Sequence, residues 1–404
     1  MTLGRDQEAP IGFAVPHIDE SDIEAVVRVL RGGWLTTGFE CAAFEAELQE
    51  YLGIPHVVGF SSCTAALETA YAYLGLPSGA RVGVPTWTFA ASALAPARFG
   101  AIPVLVDVDP DTLNVSPQAV EAAAASGLDA FVAVHFAGTP LDPEIHEILR
   151  AAGVPVIEDA AHAMGTVDHR GRVAGQGSVG ACFSFYATKN LTSGEGGALV
   201  TDDPELASFA RSFRLHGLVG DAWSRYRRGS RLLPEIHTPG IKGNFPDILA
   251  AMARSQLCRF DDVQKARREL VLQYRDLLRE LDGIRCVPPA FVDGSSDHLM
   301  VVVLDEHIDR NSVVDRLSAA GIGTSVHFRP LHHLTWFRRN ATLAGDSLPV
   351  ADAMSSRALS LPLHSHLTAA DVERVCDVVA KALTVPASAR SGWRAEQHPD
   401  VAHP

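Results

Sequence analysis

Lys189 lies in a stretch from Cys182 to Gly197 that reads CFSFYATKNLTSGEGG, where an apolar run gives way to a turn region and then to Gly196-Gly197, ahead of a second apolar run, Ala198 to Thr201. Thirty positions earlier another apolar run, beginning at Val154, ends in Glu158-Asp159 and continues as Ala160-Ala161-His162. A lone lysine after a strand is ordinarily a surface residue, and an aspartate at a strand end is as readily a helix cap. Together they supply an amine that can condense with an aldehyde and a carboxylate that can pair with a ring nitrogen. A pyridoxal phosphate enzyme requires that combination.

These groups need a scaffold that brings distant segments to one edge. From about residue 55 short β-rich runs (57–60, 82–84, 104–106, 130–135, 154–158 and 182–186) alternate with Ala-, Leu- and Glu-rich stretches of helical length (65–74, 90–97, 117–125 and 143–152). This pattern predicts an α/β fold, a large and mostly parallel sheet covered by helices on both faces. Ligands in such sheets sit beyond the carboxyl ends of the strands. At Ser61-Ser62-Cys63-Thr64 the chain leaves a predicted strand for a helix, so unpaired amides and about half a positive charge face outward there. A phosphate dianion fits that position, and a plain Ser/Thr cap is the alternative.

After Ile248 an Ala/Leu/Arg-rich stretch to Leu281 predicts a connecting helix. A strand over 298–305, a helix over 311–320 opened by an Asn311 cap, a strand over 325–328 and an amphipathic helix from a Thr368 cap to Leu383 follow. The expected organisation is a large domain over 11–255, a smaller α+β C-terminal domain over 256–385 and a disordered tail over 386–404. No internal repeat is visible.

Composition removes several classes. The 404 residues, 47% hydrophobic and 20% charged, match an ordinary globular enzyme. A net charge of −14, with only the short Arg225 to Arg231 segment as a basic cluster, argues against nucleic acid as a partner. Neither a long apolar run nor a basic-then-apolar leader occurs, so no membrane association and a cytoplasmic location are expected. The six cysteines contain no C-x-x-C pair and read as free thiols, most of them buried. His327, His332, His333, His364 and His366 show no H-E-x-x-H or similar spacing, so no metal is expected.

The sequence resembles the DegT/StrS-type aminotransferases, fold type I pyridoxal phosphate enzymes that aminate keto-sugars, from about Ile11 to Leu383. The resemblance is carried by GGWLTTG at 32–38, SSCTAALETA at 61–70, PTWTFAAS at 85–92, IEDAAHAMG at 157–165, FSFYATKNLTSGEGG at 183–197 and GIKGNFPDILAA at 240–251. It implies pyridoxal 5'-phosphate as cofactor, with pyridoxamine 5'-phosphate as intermediate. The cofactor phosphate would lie against Cys63, Thr64 and Ser184, beside the cap position Ser62. Cys63 stands where many relatives have Gly. Phe89 would stack on the pyridine ring, with Trp87 as rival and core packing as the alternative for both. Asp159 would pair with the ring nitrogen and His162 with the phenolic oxygen, although a histidine alone is more often a satisfied buried residue. Lys189 would be nucleophile and general base; related dehydratases carry His at that position.

The resemblance also implies that the loop holding Lys242 and Asn244 reaches the neighbouring subunit's cofactor phosphate, giving a homodimer with shared sites. Phe245-Pro246 departs from the more usual Met-Thr or Met-Ser. His216 and His327 match positions near the substrate cleft. The implied reaction moves an amino group from L-glutamate to a nucleotide-linked keto-sugar, and the run 192–197 is closest to sugar 4-aminotransferases, pointing to a 4-keto-6-deoxy sugar. A 3-keto-sugar, an aminocyclitol precursor or a non-catalytic regulatory role for the bound cofactor are the alternatives.

Overall fold

The structure, a computed structural model, describes residues 9–218 and 235–384. The 386–404 tail and the basic Arg225 to Arg231 segment lie outside the described residues. Eleven strands are present among them: β1 (His56–Phe60), β2 (Arg81–Pro85), β3 (Ile102–Val106), β4 (Ala130–Val134), β5 (Val156–Asp159), β6 (Gly180–Ser184), β7 (Gly197–Thr201), β8 (Ile284–Val287), β9 (Met300–Leu304), β10 (Thr342–Leu343) and β11 (Ala358–Leu361).

An eight-stranded sheet has the order β1-β7-β6-β5-β4-β2-β3-β10. Only β7 runs against its neighbours, pairing antiparallel with β1 and β6, while the other pairs are parallel. The apolar runs explain this placement: every residue of β4 and β7 is buried, as strands covered on both faces require. The covering helices begin where the sequence supplies caps. Ser116-Pro117, Asp142-Pro143 and Asp203-Pro204 each place an accepting side chain at the cap and proline at the first helical position. The Ala-rich helix Cys63–Leu74, capped by Ser62, packs on β5, β6 and β7.

A second sheet, β11-β9-β8, is antiparallel throughout. It has its own apolar core, in which Val302, Leu304 and Leu361 meet Tyr274, Leu317 and Val375 from helices Phe260–Arg279, Arg310–Ala319 and Ala369–Leu383. The expected Thr368 cap is present as a reciprocal capping box with Asp371.

Three expectations need correction. The single helix expected over 248–281 is two, Asp247–Cys258 and Phe260–Arg279, broken at Arg259, whose guanidinium reaches back to Asp22 and Asp19. The cap of Arg310–Ala319 is Asp309, not Asn311, because its carboxylate accepts from the backbone amides of both Asn311 and Ser312. The segment 325–328 makes a single bridge, Ser325 to Ser360, and no strand. Helices Glu20–Gly32 and Phe39–Leu52, together with β8, β10 and β11, were not foreseen.

Candidate active site

The carboxyl ends of β1, β2, β4, β5 and β6 and the amino end of the reversed β7 share one edge of the large sheet. There they border a cavity of about 340 Å³, within the size range of small-molecule sites. Ser62, Cys63, Thr64, Phe89, Asp159, His162, Ser184, Lys189 and His327 all line it.

Lys189 sits in the connection between β6 and β7 and is half-buried. Its Nζ has no hydrogen-bond partner among the described residues. Burial pushes its pKa down to about 8, against a partial upward pull from Asp159. Near neutrality a useful fraction is therefore free amine. Asp159 ends β5 and is buried, and its two oxygens are held separately: Oδ2 accepts from Ser92 Oγ at 2.7 Å and Oδ1 from the Ala161 amide at 3.1 Å. Burial and the nearby Asp159 push the Cys63 thiol well above its ordinary value, so it stays protonated, and its sulfur lies 3.2 Å from the Cys182 carbonyl.

The helix start at Cys63 is shaped for an anion. Ser62 Oγ accepts from the Ala65 amide and the Ser62 carbonyl from the Ala66 amide, leaving the amides of Cys63 and Thr64 as the open donors of the first turn. Gly197 pairs with both Phe60 and Ser184 directly beneath this turn. A Cβ there would lie 2.5 Å from the Cys63 nitrogen, 2.5 Å from the Ser62 carbonyl carbon and 2.7 Å from the Phe183 oxygen. Only glycine lets the strand pass that close to the cradle.

His162 Nδ1 accepts the Ala137 amide at 3.2 Å, so its neutral ring carries the proton on Nε2. Burial and the Lys189 charge hold its pKa well below the ordinary value. The same causes push His327 down to about 4, and its Nδ1 lies 3.0 Å from Ser360 Oγ. Phe89 is 63% exposed and its ring is 6.0 Å from that of Phe328, which in turn stacks toward His162. Trp87, the rival, is fully buried with its indole donating to the His327 carbonyl, and it does not line the cavity.

The chain does not bring three expected residues to this cavity. Lys242 is bonded to Asn244, and Asn244 donates to Thr37 Oγ1 at 2.7 Å, both away from the cavity of their own chain. His216, in left-handed backbone, is exposed and outside it as well.

His298 was missed. It lines the cavity with its ring 4.3 Å from that of His162. Asn190 Nδ2 donates to Gln264 Oε1 and to the Ser296 carbonyl, both at 2.7 Å, which turns Asn190 Oδ1 toward His298 Nδ1 at 2.8 Å. The proton is thus on His298 Nδ1, and Nε2 is a bare acceptor. Burial, then the neighbouring His162 and Lys189, push its pKa well below the usual value. The sequence signal was only a histidine before an apolar run.

A lysine held partly as free amine, faced by a fixed carboxylate and an open helix start, defines an enzyme that works through amine chemistry on an anionic ligand. The chain belongs to the DegT/DnrJ/EryC1/StrS aminotransferase family, whose model matches residues 16–380. Among solved structures it is similar to the aminotransferase TlmJ from Streptoalloteichus hindustanus, at 33% identity over 93% of this chain and 99% of that one, with a TM-score of 0.84. The PMP form of Spr1654 from Streptococcus pneumoniae gives 29% identity, 92% and 99% coverage and a TM-score of 0.85. The sugar aminotransferase CalS13 from Micromonospora echinospora gives 26% identity, 92% and 99% coverage and a TM-score of 0.82.

Proposed function

We propose that this aminotransferase moves an amino group from L-glutamate to a nucleotide-linked keto-sugar, with a 4-keto-6-deoxy sugar nucleotide as acceptor. The observation that carries the reading is the convergence of Lys189, Asp159 and the open helix start in one cavity of a chain that shares its fold with a sugar aminotransferase over nearly its whole length. The run Thr192 to Gly197, TSGEGG, supports the choice of C4. The stoichiometry balances: glutamate and ketone become 2-oxoglutarate and amino-sugar.

Pyridoxal 5'-phosphate is the cofactor, and when bound it supplies an electron sink and carries the amino group between the two half-reactions. The residues fit it. The Cys63 and Thr64 amides, with the Ser62 and Ser184 hydroxyls, would hold the phosphate. Asp159, steadied by Ser92, would hold the ring nitrogen in its protonated form. His162 Nε2–H would donate to the ring hydroxyl, and Phe89 would cover one ring face. Lys189 Nζ, with its pKa near 8, can take a proton from the donor's α-carbon and return it on the other side of the reaction. His327, which lines the cavity, is assigned to the acceptor, whereas His216, outside the cavity of its own chain, would meet an acceptor only in a neighbouring subunit's site.

The cleft is assigned to the junction of a large domain, 11–255, with a small one, 256–385. A homodimer with shared sites is proposed, with Lys242 and Asn244 serving the partner's phosphate. Its support is that Asn244 is held by Thr36 and Thr37 beside the exposed apolar side chains of Leu35 and Phe39. No helix among the described residues is long and apolar enough to cross a membrane, in keeping with a cytoplasmic assignment.

The test is spectroscopic. Purified protein is expected to be yellow, and L-glutamate should bleach the cofactor band; 4-keto-6-deoxy sugar nucleotides should restore it and yield 4-amino products by NMR. Lys189→Ala should abolish turnover while keeping the fold. Retention of the band with every amino donor, or full activity in Lys189→Ala, would overturn the assignment.

A further inference from the structure

Outside the cavity, the described residues bring together three metal-ligating side chains that show no ligand spacing along the sequence. The helical turn Leu331–His333 is pinned by the Leu331 amide donating to the Thr86 carbonyl at 2.8 Å and by the buried Leu331 side chain. This turn points two consecutive imidazoles at Asp352, in the first turn of helix Pro349–Ser355. His332 Nε2 lies 2.9 Å and His333 Nε2 2.7 Å from the same oxygen, Asp352 Oδ1. Potential ligand atoms of all three lie within 4.8 Å of one another. Asp352 Oδ2 accepts no hydrogen bond among the described residues. None of the three lines the cavity described above.

The first imidazole is also held from behind. His332 Nδ1 is 2.7 Å from the hydroxyl of Thr86, a residue with no exposed surface. An outer partner on the far ring nitrogen is what orients metal-bound histidines. We propose that His332, His333 and Asp352 form a site for a divalent transition-metal ion of the zinc class. Two imidazoles and one carboxylate suit zinc, whereas magnesium and calcium favour all-oxygen sets.

Ligands sharing a tetrahedral zinc at about 2.0–2.1 Å stand roughly 3.3 Å apart, so the two N···O pairs must open by about 0.5 Å. Asp352 can supply that motion, because its side chain is 52% exposed. A bound ion needs both Nε2 atoms free of protons, which leaves Nδ1 of His332 as the donor to Thr86 Oγ1. Water completes the coordination. The ion would tie helix Pro349–Ser355 and the turn at 331–333 to Thr86, which directly follows β2.

The full chain, freed of metal by a chelator and dialysed, should be titrated with Zn²⁺ by calorimetry and with Co²⁺ by visible absorption. One ion per chain is expected, with tetrahedral cobalt bands and a melting temperature that rises with Zn²⁺ concentration. His333→Ala and Asp352→Asn should each weaken binding by about 100-fold or more, and Thr86→Val by about tenfold. Asp352→Asn keeps a hydrogen-bond acceptor, so a fold lost in His333→Ala leaves it as the deciding variant. Absence of binding in the wild type, meaning a hydrogen-bonded triad only, would overturn the proposal. So would unchanged affinity in Asp352→Asn, which would place the ion elsewhere, for example on the exposed Cys258 or on the cofactor.

Discussion

Gly197→Ala is a sharp test of the phosphate cradle, because its backbone is not in the left-handed region and the perturbation is purely steric. The added methyl would stand 2.5 Å from two backbone atoms of the helix start, where 3.4 Å is ordinary contact, so something must yield by about 0.9 Å. Strand β7 is held by ladder pairs on both sides, at Phe60 and Ser184, so the helix start is the side that moves. Overpacking of this kind costs about 1–3 kcal/mol of stability. A displacement of that size also carries an amide from about 2.9 Å to beyond hydrogen-bond range of a bound phosphate. Each charge-assisted bond lost is worth roughly 1.5–3 kcal/mol, or about 10- to 150-fold in affinity. The assay is absorbance titration of stripped protein with pyridoxal phosphate, alongside thermal melting. Gly32→Ala, where a methyl meets nothing within 4 Å at the end of helix Glu20–Gly32, serves as the control: it should leave cofactor affinity unchanged and should not lower the melting temperature. Wild-type cofactor affinity in a folded Gly197→Ala protein would refute the cradle.

Acylation of Lys189 in cofactor-stripped protein, followed by peptide mass, should accelerate with pH around a midpoint near 8; Asp159→Asn should lower that midpoint, since the lost anion no longer favours the ammonium. A midpoint near the ordinary 10.5 would contradict the site's electrostatics. Glu45→Gln should destabilise the protein by about 3–5 kcal/mol, read by chemical denaturation, because it removes the negative charge that the buried Arg214 guanidinium meets at 2.6 Å. In the wild type burial pushes the Glu45 carboxyl up, but Arg214 and then Arg211 outweigh it and hold it below its ordinary 4.5. Its contribution is therefore present above that value and lost as pH falls through the lower folded pKa, so the variant's deficit should shrink in acid.

The sheet was legible because buried parallel strands are continuous apolar runs, and reading just past them singled out Asp159, Lys189 and the Cys63 helix start, which the structure places around one cavity. Choosing between Phe89 and Trp87 required the fold: two aromatics in one short loop differ only in which faces the core. His298 was invisible because its setting comes from Asn190 and His162, both distant in sequence. Asp309 and Asn311 are both good caps, and only the placement of the first helical turn decides between them. The 248–281 stretch keeps helical periodicity through Arg259, so the break set by Asp19 and Asp22 left no local mark.

The one reversed strand has a mechanical consequence. Because β6 and β7 are antiparallel neighbours, the segment carrying Lys189 is a hairpin whose two legs belong to the sheet, closed by Phe185 to Gly196 and Ser193 to Phe185 backbone bonds. The lysine is tethered to the framework at both ends, and only the rotors of its own side chain are free to swing. Every atom the amine can reach falls within one side-chain radius of a fixed point, so in the role proposed for Lys189 the two half-reactions would bring their substrates to it in turn. By the same logic, a residue gained or lost between 186 and 195 would change the tether length and carry the Lys189 amine off its arc, which makes this hairpin intolerant of changes in length.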